Sequence, residues 1–153
     1  SWSIYYPADN YPFMYKCRSA YSSIIKYRCA DILLLKAEAL ILSDTPQLAE
    51  AATIIDQIRT RAKLPKLKGT DKADKNVLLD ALLKERRMEL AFEGQRWFDL
   101  VRLDKVEEVM NDVFSNDSGR KTLEYNFSKD SYLLPIPQNA IDENSKLSQN
   151  PGY

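Results

Sequence analysis

Histidine is absent from this chain, and the absence removes whole classes of chemistry. Without an imidazole there is no Ser–His or Cys–His nucleophile, and the commonest general base and metal ligand are both gone. Cysteine is nearly absent too. Cys17 and Cys29 are too few for a disulfide framework. Two free, buried thiols are the simpler expectation, with a single bridge in an oxidising compartment as the other. Excess charge of either sign is missing, since 22 Lys and Arg balance 22 Asp and Glu. General polyanion binders work by neutralising phosphates, so no nucleic-acid partner is expected. Long hydrophobic runs are lacking as well. The longest, around Ile32–Leu42, is broken by Lys36 and Glu38 and is too short to span a bilayer. The opening Ser1-Trp2-Ser3-Ile4 has neither an initiator Met nor a signal-peptide pattern. It reads as a mature product or a piece of something longer, with any targeting information upstream.

What remains is a mainly α chain. Residues 1–26 form an aromatic-rich extended segment, in which Pro7 and Pro12 interrupt any helix. Over 27–42, Tyr27, Ala30, Leu34, Ala37 and Ile41 share one helical face. This helix is apolar nearly all round, apart from Asp31, Lys36 and Glu38, which predicts burial on two sides. Thr45 suits an N-cap and Pro46 a first helical position for a second helix over 46–62. Its stripe is Leu48, Ala51, Ala52, Ile55, Ile58 and Ala62. Two such helices with small residues at the contact resemble one tetratricopeptide-type pair. A solvated loop over 63–74 leads to Asp74, a suitable N-cap for a third helix running to about Phe92. Gly94 kinks or ends that helix, and 95–113 reads as further helix. Toward the end the period changes to two. Leu123, Tyr125 and Phe127 alternate with polar residues, and 132–137 is extended by its prolines. Together they predict a short C-terminal β-hairpin, followed by one short helical turn over 138–144 and irregular coil.

The third helix carries its charges on the wrong face. At about 100° per residue, Leu78, Leu79, Leu82, Leu83 and Leu90 define an apolar arc. Arg86 and Glu93 project into that arc and Glu89 borders it. Charges leave water only when paired and hydrogen-bonded, so Arg86, Glu89, Glu93 and Arg96 are expected to form a structural ion network. The spacings Arg86–Glu89 and Glu93–Arg96 allow pairs within one helix. Glu85, Glu89 and Glu93 do not suit a hydrolase pair. Carboxylates on successive turns point the same way, whereas acid–base pairs flank a cleft. Asp117-Ser118-Gly119 and Asp142-Glu143-Asn144 lack the spacing of a calcium loop and read as turns. No catalytic residue, metal site or cofactor is called for. Trp97 reads first as a lock between helices rather than as a platform for a sugar ring. If aromatics do meet a sugar, Trp2, Tyr5 and Tyr6 in the non-helical segment are the candidates.

Three stretches carry a family resemblance. They are Tyr27-Arg28-Cys29-Ala30-Asp31-Ile32-Leu33-Leu34-Leu35-Lys36-Ala37-Glu38-Ala39, the core Glu85-Arg86-Arg87-Met88-Glu89-Leu90-Ala91-Phe92-Glu93-Gly94-Gln95-Arg96-Trp97-Phe98-Asp99-Leu100, and Leu134-Pro135-Ile136-Pro137 followed by Asn150-Pro151-Gly152-Tyr153. In this order they resemble the SusD/RagB family, over most of 27–153, as the C-terminal helical region of such a protein. The resemblance implies a non-catalytic lipoprotein on the outer-membrane surface. Such a protein binds glycan or another nutrient and delivers it to a TonB-dependent transporter. It further implies that the lipid anchor and most sugar contacts lie upstream, in an N-terminal part of the same protein that would pack with this region. The rival reading is a tetratricopeptide-like module that grips a peptide.

Overall fold

The structure, a computed structural model, describes residue 16, residues 25–116 and residues 126–153. These divide into two compact units, Ser1–Gln95 and Arg96–Tyr153. Trp2, Tyr5, Tyr6, Cys17, Leu123 and Tyr125 lie outside the described residues.

The first unit is built from α1 (Cys29–Leu42), α2 (Leu48–Arg61) and α3 (Lys75–Glu89). Leu34, Ala37 and Ile41 of α1 meet Ala51, Ala52, Ile55 and Ile58 of α2 and Leu78 and Leu82 of α3 in one buried core. The alanines on both helices let the pair approach closely, as their spacing predicts. The opposite face of α1 is not covered: Ile32, Leu35 and Leu42 are exposed, against the expectation of burial on two sides. Tyr27 is 78% exposed and stands just before the helix. Cys29 is free but exposed, so the expectation of a buried thiol is corrected there.

The start of α2 also differs from the sequence pattern. Gln47 is the N-cap, not Thr45. The Ser43 hydroxyl donates to the Thr45 carbonyl at 2.8 Å, and the Gln47 N–H donates to the Leu40 carbonyl at 3.0 Å. These bonds hold 43–47 in a turn and delay the helix. At its other end Lys63 adopts φ 58°. There Lys63 N–H donates to Thr60 and Leu64 N–H to Arg59, the Schellman pattern with lysine at the left-handed position. The 63–74 loop is not wholly solvated. Asp56 of α2 is buried and accepts the Leu67 N–H at 2.7 Å and the Lys72 ammonium at 2.6 Å, pinning the loop.

Asp74 caps α3 as expected, accepting from Asn76 N–H and Val77 N–H at 2.8 and 3.0 Å. Asp74→Ala is expected to cost about 1 kcal/mol, read as a lower midpoint in urea with an unchanged slope. An unchanged midpoint would show that the cap is idle. The helix ends at Glu89 rather than Phe92, because the Arg28 guanidinium and the Lys16 ammonium take the Glu89 carbonyl oxygen. Phe92, at φ 65°, turns the chain before Gly94 does.

The second unit contains α4 (Arg96–Arg102), α5 (Val106–Asn116), a 3-10 turn (Lys129–Tyr132) and α6 (Gln138–Glu143). The expected continuous helix breaks at Asp104, which takes φ 54°. Asp104 N–H donates to Val101 and Lys105 N–H to Leu100, a second Schellman ending. Leu100 and Val106 are fully enclosed.

Among the described residues there is no strand, and the expected C-terminal β-hairpin is not supported at Phe127 or over 132–137. The backbone groups a hairpin would pair are taken by side-chain amides instead. Asn111 of α5 donates to the Phe127 carbonyl at 3.1 Å and accepts its N–H at 2.8 Å. Gln149 does the same for Ile136, at 3.0 and 2.8 Å. Asn150 donates to the Leu134 carbonyl at 2.6 Å. Pro135 and Pro137 have no N–H to offer a ladder. At Phe127 and at Ile136 an amide that matches one residue's donor and acceptor replaces a strand partner.

Candidate functional site

The first unit encloses charges, and the second opens a pocket. In the first, Arg28 precedes α1 and reaches the end of α3. Its Nε donates to both carboxylate oxygens of Glu93, at 3.0 and 2.9 Å, and its Nη1 to Glu89 Oε1 at 2.5 Å. The Lys16 ammonium also pairs with Glu93. Arg61 of α2 donates to Glu89 Oε2 at 2.5 Å, and Arg59 to Glu85 Oε2 at 2.8 Å. Arg86 donates to Asp31 Oδ1 of α1 at 2.9 Å, with the two side chains only 2% and 6% exposed.

Thus Glu85, Glu89 and Glu93 are met by Arg28, Arg59, Arg61 and Lys16 from elsewhere in the chain, where helical spacing alone points to Arg86 for Glu89 and Arg96 for Glu93. Arg96 opens α4 and is part of the second unit. Burial pushes the Glu93 carboxyl up, but bonds from Arg28 and Lys16 outweigh it and hold it below the usual carboxylate value. Glu89 is lowered in the same way, burial being outweighed by Arg28 and Arg61. The bond to Glu93 raises Arg28 against the opposing effect of burial. A carboxylate so engaged braces helices; it is not poised to move protons. Among the described residues, no group of three His, Cys, Asp or Glu side chains is placed to hold a metal ion.

The second unit holds a half-open cavity of about 700 Å³. Trp97 of α4, Phe127 and Tyr153 supply rings to its walls, and Leu134 and Pro151 add apolar surface. Asn126, Ser128, Asp130 and Ser131 line it with polar groups. Each wall is fixed locally. Phe127 stacks on Phe114 with centroids 5.7 Å apart and meets Trp97 at 6.4 Å, while Asn111 holds its backbone. The 3-10 turn is closed by a reciprocal cap between Ser128 and Ser131. In that cap each hydroxyl oxygen accepts from a backbone N–H, so each O–H hydrogen still points elsewhere.

Tyr132 at the end of the turn donates to Asp104 at 2.6 Å, which raises the phenol to about 12 and lowers the Asp104 carboxyl. Gly152 has φ 90°, and a Cβ there would lie 3.7 Å from that of Asp130. Glycine at this turn brings Tyr153 round to the cavity, and the Tyr153 hydroxyl anchors on the Leu133 carbonyl at 3.1 Å. The sequence reading missed Asp130, Ser128, Ser131 and Tyr153. Their one legible signal is a run of turn residues flanked by aromatics. Trp97 was visible, but as a packing residue.

This arrangement can receive a molecule with apolar ring faces and a hydroxylated rim, which is how pockets of this size are built. No helix of the described residues is long and apolar enough to cross a membrane.

Comparison with known proteins places the chain. A sequence model of the SusD family matches residues 10–153. SusD-like protein P38 of Formosa agariphila is 38% identical over 138 residues, which is 86% of this chain and 25% of that protein. SusD-like protein P2 of the same organism is 32% identical, covering 89% of this chain and 27% of its own length. The crystal structure of a SusD-like protein from Bacteroides fragilis superposes with a TM-score of 0.60 at 32% identity, over 81% of this chain and 25% of that one. The chain therefore spans about a quarter of the length of the curated relatives it matches. It belongs to the SusD family.

Proposed function

We propose that this chain is part of a nutrient-binding protein of the outer-membrane surface, which captures glycan and delivers it to a TonB-dependent transporter. Family membership supports the class. The cavity walled by Trp97, Phe127 and Tyr153 and rimmed by Asn126, Ser128, Asp130 and Ser131 is the single observation that carries it to these residues. This chain matches about a quarter of the length of its curated relatives, and the exposed Ile32, Leu35 and Leu42 of α1 offer a docking face for the remainder of such a protein.

The mechanism is equilibrium capture with no covalent step. A pyranose lays its C–H face on the rings, whose burial of apolar surface drives binding. The hydroxyls and carboxylate at the rim satisfy the sugar's donors and acceptors as water leaves. Release into the transporter requires only that the sugar find a competing surface. A tetratricopeptide-like peptide groove is less well supported. α1 and α2 make one helix pair, and stacked repeats need about three to be stable.

The test is calorimetric titration with neutral oligosaccharides, using the intact chain and Trp97→Ala. The variant is expected to lose at least about tenfold in affinity, as for an aromatic anchor in a binding pocket. Equal affinity in the two proteins would remove the pocket from the account. Binding of peptides but no oligosaccharide would favour the rival.

A further inference from the structure

We infer that this pocket is selective by charge: it takes neutral sugar units and turns away uronates and other anionic glycans. The inference rests on the carbohydrate-binding reading above and adds the substrate class.

Among the described lining residues one side chain is charged at neutral pH, the carboxylate of Asp130, and there is no Lys or Arg. The neighbouring cation, Lys129, is engaged outside the pocket, its ammonium 3.3 Å from Asp104 Oδ2. A carboxylate accepts hydrogen bonds and donates none. Neighbouring hydroxyls of a neutral pyranose supply the two donors it asks for. A uronate keeps its ring hydroxyls but brings a second anion with them, beside the apolar surfaces of Trp97, Phe127 and Tyr153. Like charges brought close beside such low-dielectric surfaces repel more than in bulk solvent, and among the described lining residues no cation offsets them. The serine hydroxyls and the Asn126 amide are neutral and do not change the balance. A site built for acidic glycans would carry Arg or Lys in bidentate reach of the sugar carboxylate.

The test pairs oligosaccharides that differ only in oxidation at C6: mannotetraose with tetramannuronate, galactotetraose with tetragalacturonate, and cellotetraose with its uronate. Calorimetry at low ionic strength on the intact chain is expected to favour the neutral member of any pair that binds by at least about tenfold. Asp130→Asn keeps the shape and one acceptor but removes the charge. It is expected to narrow the preference, raising uronate affinity about tenfold while the neutral sugar, deprived of a charged acceptor, binds more weakly. A uronate bound as tightly as its neutral partner, or a ratio unmoved by Asp130→Asn, overturns the selectivity while leaving the binding site in place. Failure of every neutral sugar, or binding indifferent to Trp97→Ala, overturns the carbohydrate reading itself and the selectivity with it.

Discussion

Arg86→Ala is expected to destabilise the protein by about 3–5 kcal/mol, the largest effect of any single substitution considered. Arg86 and Asp31 are buried together, 2.9 Å apart, between α3 and α1. Removing the guanidinium leaves the Asp31 carboxylate enclosed with its main counter-charge gone. The penalty is that of a stranded charge, not the net worth of the pair. Two controls separate these. Replacing both residues by leucine and methionine of similar bulk is expected to recover most of the loss, because nothing ionised is then left behind. Glu50→Ala breaks the exposed pair with Lys36, whose side chains are 55% and 48% exposed, and is expected to cost about 0–1 kcal/mol. Urea denaturation followed by circular dichroism gives all three values. Equal midpoints for Arg86→Ala and Glu50→Ala would refute the idea that these charges are structural.

Arg28 supplies the second large effect, and with it a pH dependence. Its side chain joins the start of α1 to Glu89 and Glu93 at the end of α3, and it also caps the Glu89 carbonyl. Arg28→Met is expected to cost about 1.5–3 kcal/mol, the range for hydrogen bonds to charged groups. The loss is smaller than for Arg86, since Lys16 still faces Glu93 and Arg61 still faces Glu89.

Both carboxyls are held below their ordinary value of 4.5 in the folded protein. The unfolded chain therefore binds protons first as pH falls. The stabilisation is complete well above 4.5 and drains away as pH drops through the depressed folded values. Wild-type stability is expected to be flat near neutrality and to fall on acidification below that point, whereas Arg28→Met falls less steeply over the same window. Parallel acid limbs for the two proteins would show that Arg28 does not set these ionisations.

Much of this scaffold is legible in the sequence because helices announce their own periodicity. Leu34, Ala37 and Ile41, then Ala51, Ala52, Ile55 and Ile58, were placed in the core by spacing alone, and they are there. Arg86 of α3 and Glu93 just beyond it could be seen to violate the apolar pattern. Their partners could not be seen, because Asp31 is 55 residues from Arg86 and Arg28 is 65 from Glu93. A rule based on i,i+3 spacing knows only one helix. A hint lay in Asp31 itself, one of three charged residues in a helix otherwise apolar.

The lack of a strand among the described C-terminal residues has a related cause. Alternation at Leu123, Tyr125 and Phe127 records which faces are apolar, not what satisfies the backbone. At Phe127 that task falls to Asn111, a tertiary choice with no local signature. The pocket was least legible of all. Trp97, Phe127, Asp130 and Tyr153 are brought together from three stretches of the chain, and a glycine turn at Gly152 completes the wall.

The central claim is that a sugar occupies this wall. Backbone amide shifts of the isotope-labelled protein, recorded while a neutral oligosaccharide is added, test it most directly. Movement is expected to concentrate at Trp97, at 126–134 and at 152–153, with α1 to α3 unmoved. Shifts centred on α1 to α3 or on residues 1–24, with 126–134 silent, would contradict it.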